Sequence, residues 1–268
     1  AGVVATESTF RLGLLNGLGA AVIALLAPVL GAIADRSSSR VRMLMMVTLL
    51  GCAATAGLAL VAQGHWIAAA LLYMLASLGF WGGVVFNDSL LLHVAEPDEF
   101  DLVSGFGYAL GYLGGGLLFA VNVFMTLKPQ LFGFDDAGEA VRASFVTVGV
   151  WWLVFALPCV LVVKERSSAP SVGAAEAVRQ GLRELRGTLV EVRSYRPVLW
   201  FLAAYFLYID GVNTVIKMAV DYGLSLGFGP ADLMKALLLT QFVGFPAALA
   251  FGWLGRRIGA RRGIFLAL

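Results

Sequence analysis

The sequence predicts an all-α protein, a polytopic bundle of membrane-spanning helices, and three observations carry that reading. Of the 268 residues, 60% are hydrophobic and only 13% charged, far from the balance of soluble domains. Seven stretches reach the roughly 20 apolar residues that a hydrocarbon core of about 30 Å demands. Each is continuously apolar and rich in Ala, Leu and Gly, without the alternation of barrel strands.

The expected spans are 10–33, 41–62, 66–95, 102–127, 144–163, 198–220 and 233–254. A further apolar run opens at Gly263 and reaches Leu268. Residues 1–9 lack the basic and apolar regions of a signal peptide, so they are expected to follow an upstream span. The chain therefore reads as a piece of a longer protein.

The net charge of +2 offers no basic surface for nucleic acid, and the lipid bilayer is the expected surrounding. Of the 19 Lys and Arg, 14 fall in the loops around 34–42, 164–196 and 256–262, all on one side of the membrane. By the positive-inside rule those loops are cytoplasmic, and a bacterial inner membrane is the expected location. Cys52 and Cys159 each sit in an apolar run, as packing residues with no disulfide or metal framework.

Residues 164–197 form the longest polar segment, a linker between a first bundle (1–163) and the start of a second (198–268). Within it Val178, Leu182, Leu185, Leu189 and Val192 recur at helical spacing, with Arg179, Arg183, Arg186 and Arg193 largely off that stripe. The pattern predicts an amphipathic helix, lying on the inner membrane surface or on the protein's own cytoplasmic ends.

Two cytoplasmic loops share a pattern: Gly31, Asp35, Arg36 and Arg40 recur 221 positions later as Gly252, Arg256, Arg257 and Arg261. Ser38 corresponds to Gly259. The pattern resembles the loop motif of the major facilitator superfamily, found between its second and third and its eighth and ninth helices. The resemblance implies the major facilitator fold, with this chain covering about helices two to eight and the start of nine. It also implies a gating role for Gly31, Asp35, Arg36, Arg40, Gly252, Arg257 and Arg261, the glycines allowing close helix approach and the charges pairing at helix ends. Arg256 stands where that family often has an acid.

Three further stretches carry a narrower likeness. They are Phe86-Asn87-Asp88-Ser89-Leu90-Leu91, the run from Ser104-Gly105 to Gly114-Gly115, and Ala204 to Ile216 with its Asp210-Gly211-x-x-Thr214 core. Together they resemble the autophagy-related vacuolar amino-acid effluxer family and its bacterial relatives. Leu92 and His93 stand where that family often has Pro and an acid. The resemblance implies transport of a small solute, with amino acids as candidates, and a site lined by its fourth and seventh helices.

Ionisable groups inside a membrane are costly and mark pathways or proton relays. At 100° per residue, Asp210, Asn213, Thr214, Lys217 and Asp221 fall within about 100° of arc, one polar stripe on an apolar helix. Asp210 lies mid-span and is the leading candidate for substrate or ion coupling; a structural hydrogen bond is its other reading. Lys217 can pair with Asp221, or both can sit at the outer interface with Lys217 snorkelling.

Tyr73, Ser77, Trp81, Asn87 and Asp88 give a second polar side, with Asp88 near the cytoplasmic end, where gating or helix capping competes with binding. Gln241 and Asn122 are lone polar residues that could reach a ligand; interhelical hydrogen bonding is the plainer account of both. Gly107, Gly111 and Gly115 recur every four residues, a spacing suited to helix packing.

The expected function is a secondary transporter working by alternating access around a midplane site, coupled to a proton or sodium gradient and needing no cofactor or metal. The alternative is a membrane-embedded enzyme or an assembly subunit. The chain has no HExxH, GxSxG, Cys/His ligand set or Walker sequence, which argues against catalysis and ATP use.

Overall fold

A computed structural model describes residues 5–36, 40–163, 176, 179, 183, 186, 187 and 190–267. The described residues form α1 (Ala5–Arg36), α2 (Arg40–Gly57), a 3-10 turn (Leu58–Leu60), α3 (Trp66–Val94), α4 (Phe100–Leu127), a second 3-10 turn (Pro129–Phe132), α5 (Ala137–Val162), α6 (Arg196–Ser225), α7 (Pro230–Ile258) and α8 (Ala260–Ala267). No strand occurs among them. Seven of the helices are long and apolar enough to cross a bilayer, and they match the seven expected spans. Leu161, Trp200 and Leu207 are more than 70% uncovered by protein, as lipid-facing side chains are. The chain is an integral membrane protein.

The helices overrun the apolar windows at several ends, because a polar residue at an interface still completes a helical turn. The largest overrun is in α5, which starts at Ala137 rather than near 144. Asp136 caps it, its Oδ1 accepting from the Glu139 N–H at 2.9 Å, while Glu139 Oε2 accepts from the Asp135 N–H at 2.9 Å. This reciprocal pair satisfies amides that would otherwise lack partners. Pro28, Pro158 and Pro246 lie inside α1, α5 and α7, as membrane helices tolerate.

The contacts divide the chain into two compact units, Ala1–Ser38 with Ser167–Leu233, and Ser39–Arg166 with Met234–Leu268. In the second unit α2 packs between α3 and α5 at backbone distance. A Cβ added at Gly79 would lie 2.5 Å from the Gly51 Cα, and one at Gly149 would lie 2.9 Å from the Cys52 carbonyl oxygen. The Trp152 ring fills the notch at Gly51. Helices in lipid gain little from apolar burial against each other, so small residues that admit a neighbour's backbone decide who packs on whom. Phe86, Leu90 and Thr48 complete this core at 1–3% exposure.

α4 packs on α5 through a buried polar link: Thr147 Oγ1 donates to Asn122 Oδ1 at 2.9 Å. Asn122 is 8% exposed, and its own carbonyl accepts from the Thr126 hydroxyl at 2.9 Å. Asn122 thus serves interhelical hydrogen bonding.

In the first unit the described linker residues Glu176, Arg179, Arg183, Arg186 and Gly187 are helical, and Arg179 pairs with Glu176 at 3.7 Å. The apolar stripe positions Val178, Leu182, Leu185 and Leu189 lie outside the described residues.

Candidate functional site

The polar stripe lies on α6, a continuous helix opened by Pro197 in its first turn. Asp210 and Thr214 are exposed, and Asn213 and Lys217 are half-buried. Asp221 Oδ1 accepts from the Thr9 hydroxyl of α1 at 3.0 Å. Both partners lie at helix ends remote from the Arg-rich loops, so this bond ties α1 to α6 on the side opposite those loops. Lys217 is engaged in an interaction of its own. The stripe therefore divides into a tied end at Asp221 and an open stretch at Asp210 and Thr214.

On α3, Phe86 and Leu90 turn into the core while Asn87 and Asp88 are exposed. Tyr73, Ser77 and Trp81 are half-buried. The Ser89 hydroxyl donates back to the Phe86 carbonyl at 2.7 Å, which leaves Asn87 and Asp88 as the polar groups that α3 presents outward.

Gln241 of α7 lies against the glycine face of α4. A Cβ at Gly115 would be 3.0 Å from Gln241 Nε2, and one at Gly116 would be 3.2 Å from Gln241 Cβ. Further along the same pair of helices the Tyr112 ring fills the notch at Gly244, and Gly105 meets the Ala248 carbonyl and the Gly252 backbone. Ala109, between them, is fully buried. The seam thus runs antiparallel, Gly105, Tyr112 and Gly116 facing Gly252, Gly244 and Gln241. Gly107 and Gly111 border open space, with no atom within 4 Å of an added Cβ.

Of the loop residues, Gly31 also borders open space, and the Asp35 and Arg36 side chains lie outside the described residues. Arg40 Nη1 is 3.0 Å from His93 Nε2. Gly252 packs on the Asp101 carbonyl and Gly105. The Arg257 guanidinium lies 3.9 Å from the Trp253 ring centroid, a cation–π contact. Arg261 is exposed, and Gly259, between Arg257 and Arg261, has φ +77°.

Sequence reasoning missed Gly105, Gly244 and the backbone contacts of Gly51, Gly79 and Gly149. The seam has a readable signal in Gly105-x3-Ala109-x2-Tyr112-x3-Gly116, whose spacing averages close to one helical turn.

Seven long apolar helices, lipid-facing surfaces and an acid in mid-span define an integral membrane protein with intramembrane polar groups, the class to which solute carriers belong. Residues 2–99 and 93–267 match the model of the vacuole effluxer Atg22-like family, and the chain belongs to that family.

It is 32% identical over its full length to the uncharacterized MFS-type transporter YxiO of Bacillus subtilis (strain 168), of which the alignment covers 62%. It is 27% identical to autophagy-related protein 22 of Yarrowia lipolytica, over 54% of this chain and 27% of that protein. It is 26% identical to autophagy-related protein 22-1 of Aspergillus niger, over 59% of this chain and 26% of that protein. The chain thus spans less than two thirds of the length of these relatives. No solved structure matches it. The major facilitator resemblance read from the loop repeat agrees with these matches: the Bacillus relative is named a transporter and the family is described as an effluxer.

Proposed function

We infer that the chain is the greater part of a secondary transporter that moves a small solute by alternating access. The observation that carries this reading is the open stretch of the α6 stripe, where Asp210 stands exposed mid-helix with Asn213 and Thr214 beside it. A carboxylate at membrane depth needs a cation, a proton or water. Asp210 takes up a proton, a sodium ion or the cationic group of the solute, while Asn213, Thr214 and Lys217 orient the rest. Asn87 and Asp88 at the end of α3, and Gln241 on α7, are the polar candidates of the other compact unit.

The family to which the chain belongs favours a small solute, and its description as a vacuole effluxer favours movement out of a compartment, with amino acids as the candidate solutes. Residues 164–197 link a first bundle (1–163) to a second (198–268), and the seam between α4 and α7 joins the two. The loops at Gly31, Asp35, Arg36 and Arg40 and at Gly252, Arg257 and Arg261 brace the state closed to the cytoplasm. Arg-rich loops face inward and the protein resides in a bacterial plasma membrane.

The test is solute flux in proteoliposomes, screening amino acids with and without proton and sodium gradients, beside Asp210→Asn. Gradient-dependent flux lost in the variant is expected. Flux that survives the substitution unchanged removes Asp210 from the site, and a protein inert to every solute and gradient overturns the transport reading.

A further inference from the structure

Arg40 opens α2 and His93 lies in the last turn of α3, and the two side chains meet. Arg40 Nη1 is 3.0 Å from His93 Nε2, and His93 Nδ1 is 3.3 Å from the Ser89 carbonyl oxygen one turn back. These two contacts select one form of the ring. A guanidinium only donates, so Nε2 must present its lone pair; a carbonyl only accepts, so Nδ1 must carry the hydrogen. The neutral Nδ1–H tautomer satisfies both contacts. The other tautomer sets two donors face to face, and the imidazolium adds like charges 3.0 Å apart.

The pair joins two elements. It holds the start of α2, where the first copy of the loop pattern ends, to the last turn of α3, below the exposed Asn87 and Asp88. Charged groups on the bordering elements are Arg42 of α2, Asp88 of α3, Glu96, Asp98 and Glu99 of the turn after α3, and Asp101 in the first turn of α4. An added proton on His93 therefore does two things. It removes the lone pair that faces Arg40 Nη1, and it sets two cations 3.0 Å apart.

We propose that His93 is a proton-binding site at the Arg-rich ends of α2 and α3, and that proton uptake there breaks its contact with Arg40. Histidine is the side chain whose charge ordinarily changes between pH 5 and 8, so the tie at this corner follows the acidity of the compartment it faces. In the transport reading above, on which this role rests, acidification on that side loosens the first gating loop.

The experiment uses the full protein in nanodiscs, with the His93 ring assigned as the signals lost in His93→Gln. Nitrogen-15 spectra of histidine-labelled protein are recorded from pH 8 to pH 5, with hydrogen exchange over residues 40–47 corrected for its intrinsic pH dependence. The Nδ1–H tautomer at pH 8 is expected, converting to imidazolium in one step. Across that step exchange in 40–47 should rise roughly tenfold, the scale of one lost charge-assisted hydrogen bond. His93→Gln keeps an acceptor that does not titrate, so its exchange should show no step.

An Nε2–H tautomer at pH 8 overturns the proposal. So does exchange that is flat across the ring's protonation, or a step that persists in His93→Gln. Neither readout involves solute, so a failure of the transport reading shows in flux alone.

Discussion

Gly105 of α4 and Gly252 of α7 meet backbone to backbone: a Cβ on Gly105 would lie 2.9 Å from the Gly252 Cα. No side chain can turn aside to make room there. Gly105→Leu should therefore force the helices apart at that end of the seam and cost about 1–3 kcal/mol, the scale of overpacking a close contact. Gly107→Leu, two residues away and facing open space, should cost far less. Thermal unfolding in detergent compares the two; equal losses would mean that α4 and α7 do not touch here.

The buried link between Thr147 and Asn122 is testable with a nearly isosteric change. Thr147→Val removes the hydroxyl donor and should destabilise by about 0.6 kcal/mol, the average for such bonds in membranes. In a double-mutant cycle with Asn122→Leu the two losses should fail to add. Additive losses would show that the bond contributes nothing.

Thr9 and Asp221 can be tested by proximity. With Cys52 and Cys159 changed to Ala, Thr9→Cys with Asp221→Cys should react with a short bis-thiol reagent. Thr9→Cys with Asp210→Cys, roughly 16 Å further down α6 at 1.5 Å per residue, should not. Equal cross-linking of both pairs would remove the tie between α1 and α6.

The turn between α7 and α8 depends on Gly259 at φ +77°, where an L side chain costs roughly 1–2 kcal/mol. Gly259→Ala should lose about that much stability, while Gly259→Asn, tolerated in left-handed backbone, should lose less. Circular-dichroism melts in detergent decide it, and a neutral Ala variant would mean that the turn relaxes elsewhere.

Much of the fold was legible in the sequence, because the membrane permits few solutions: a run of 20 apolar residues must satisfy its own backbone, and a helix does so. The α6 stripe was legible for the same reason, since Asp210, Asn213, Thr214 and Lys217 stand out against apolar neighbours. Helix pairing was not. Lipid-facing and protein-facing surfaces draw on the same Leu, Val and Phe, so hydropathy does not separate them.

On α4 the stripe Gly107, Gly111, Gly115 is conspicuous, yet steps of four drift about 40° each around the helix. Steps of four, three and four, from Gly105 through Ala109 and Tyr112 to Gly116, stay on one face, and that face meets α7. The start of α5 lies outside the apolar window because its first turns are polar, with Asp136 and Glu139 acting as a cap.

The packing of α2 has a mechanical consequence. A slip of one residue, about 1.5 Å along the axis, would set Leu50 or Cys52 where Gly51 now faces Gly79. Neither side chain fits at that position, where an added Cβ already runs into the Trp152 ring. Gly149 holds α5 in the same way against the Cys52 carbonyl. α2, α3 and α5 are thus keyed like teeth on a shaft: they carry load as one piece, and any working stroke of the molecule has to turn on some other pair of helices.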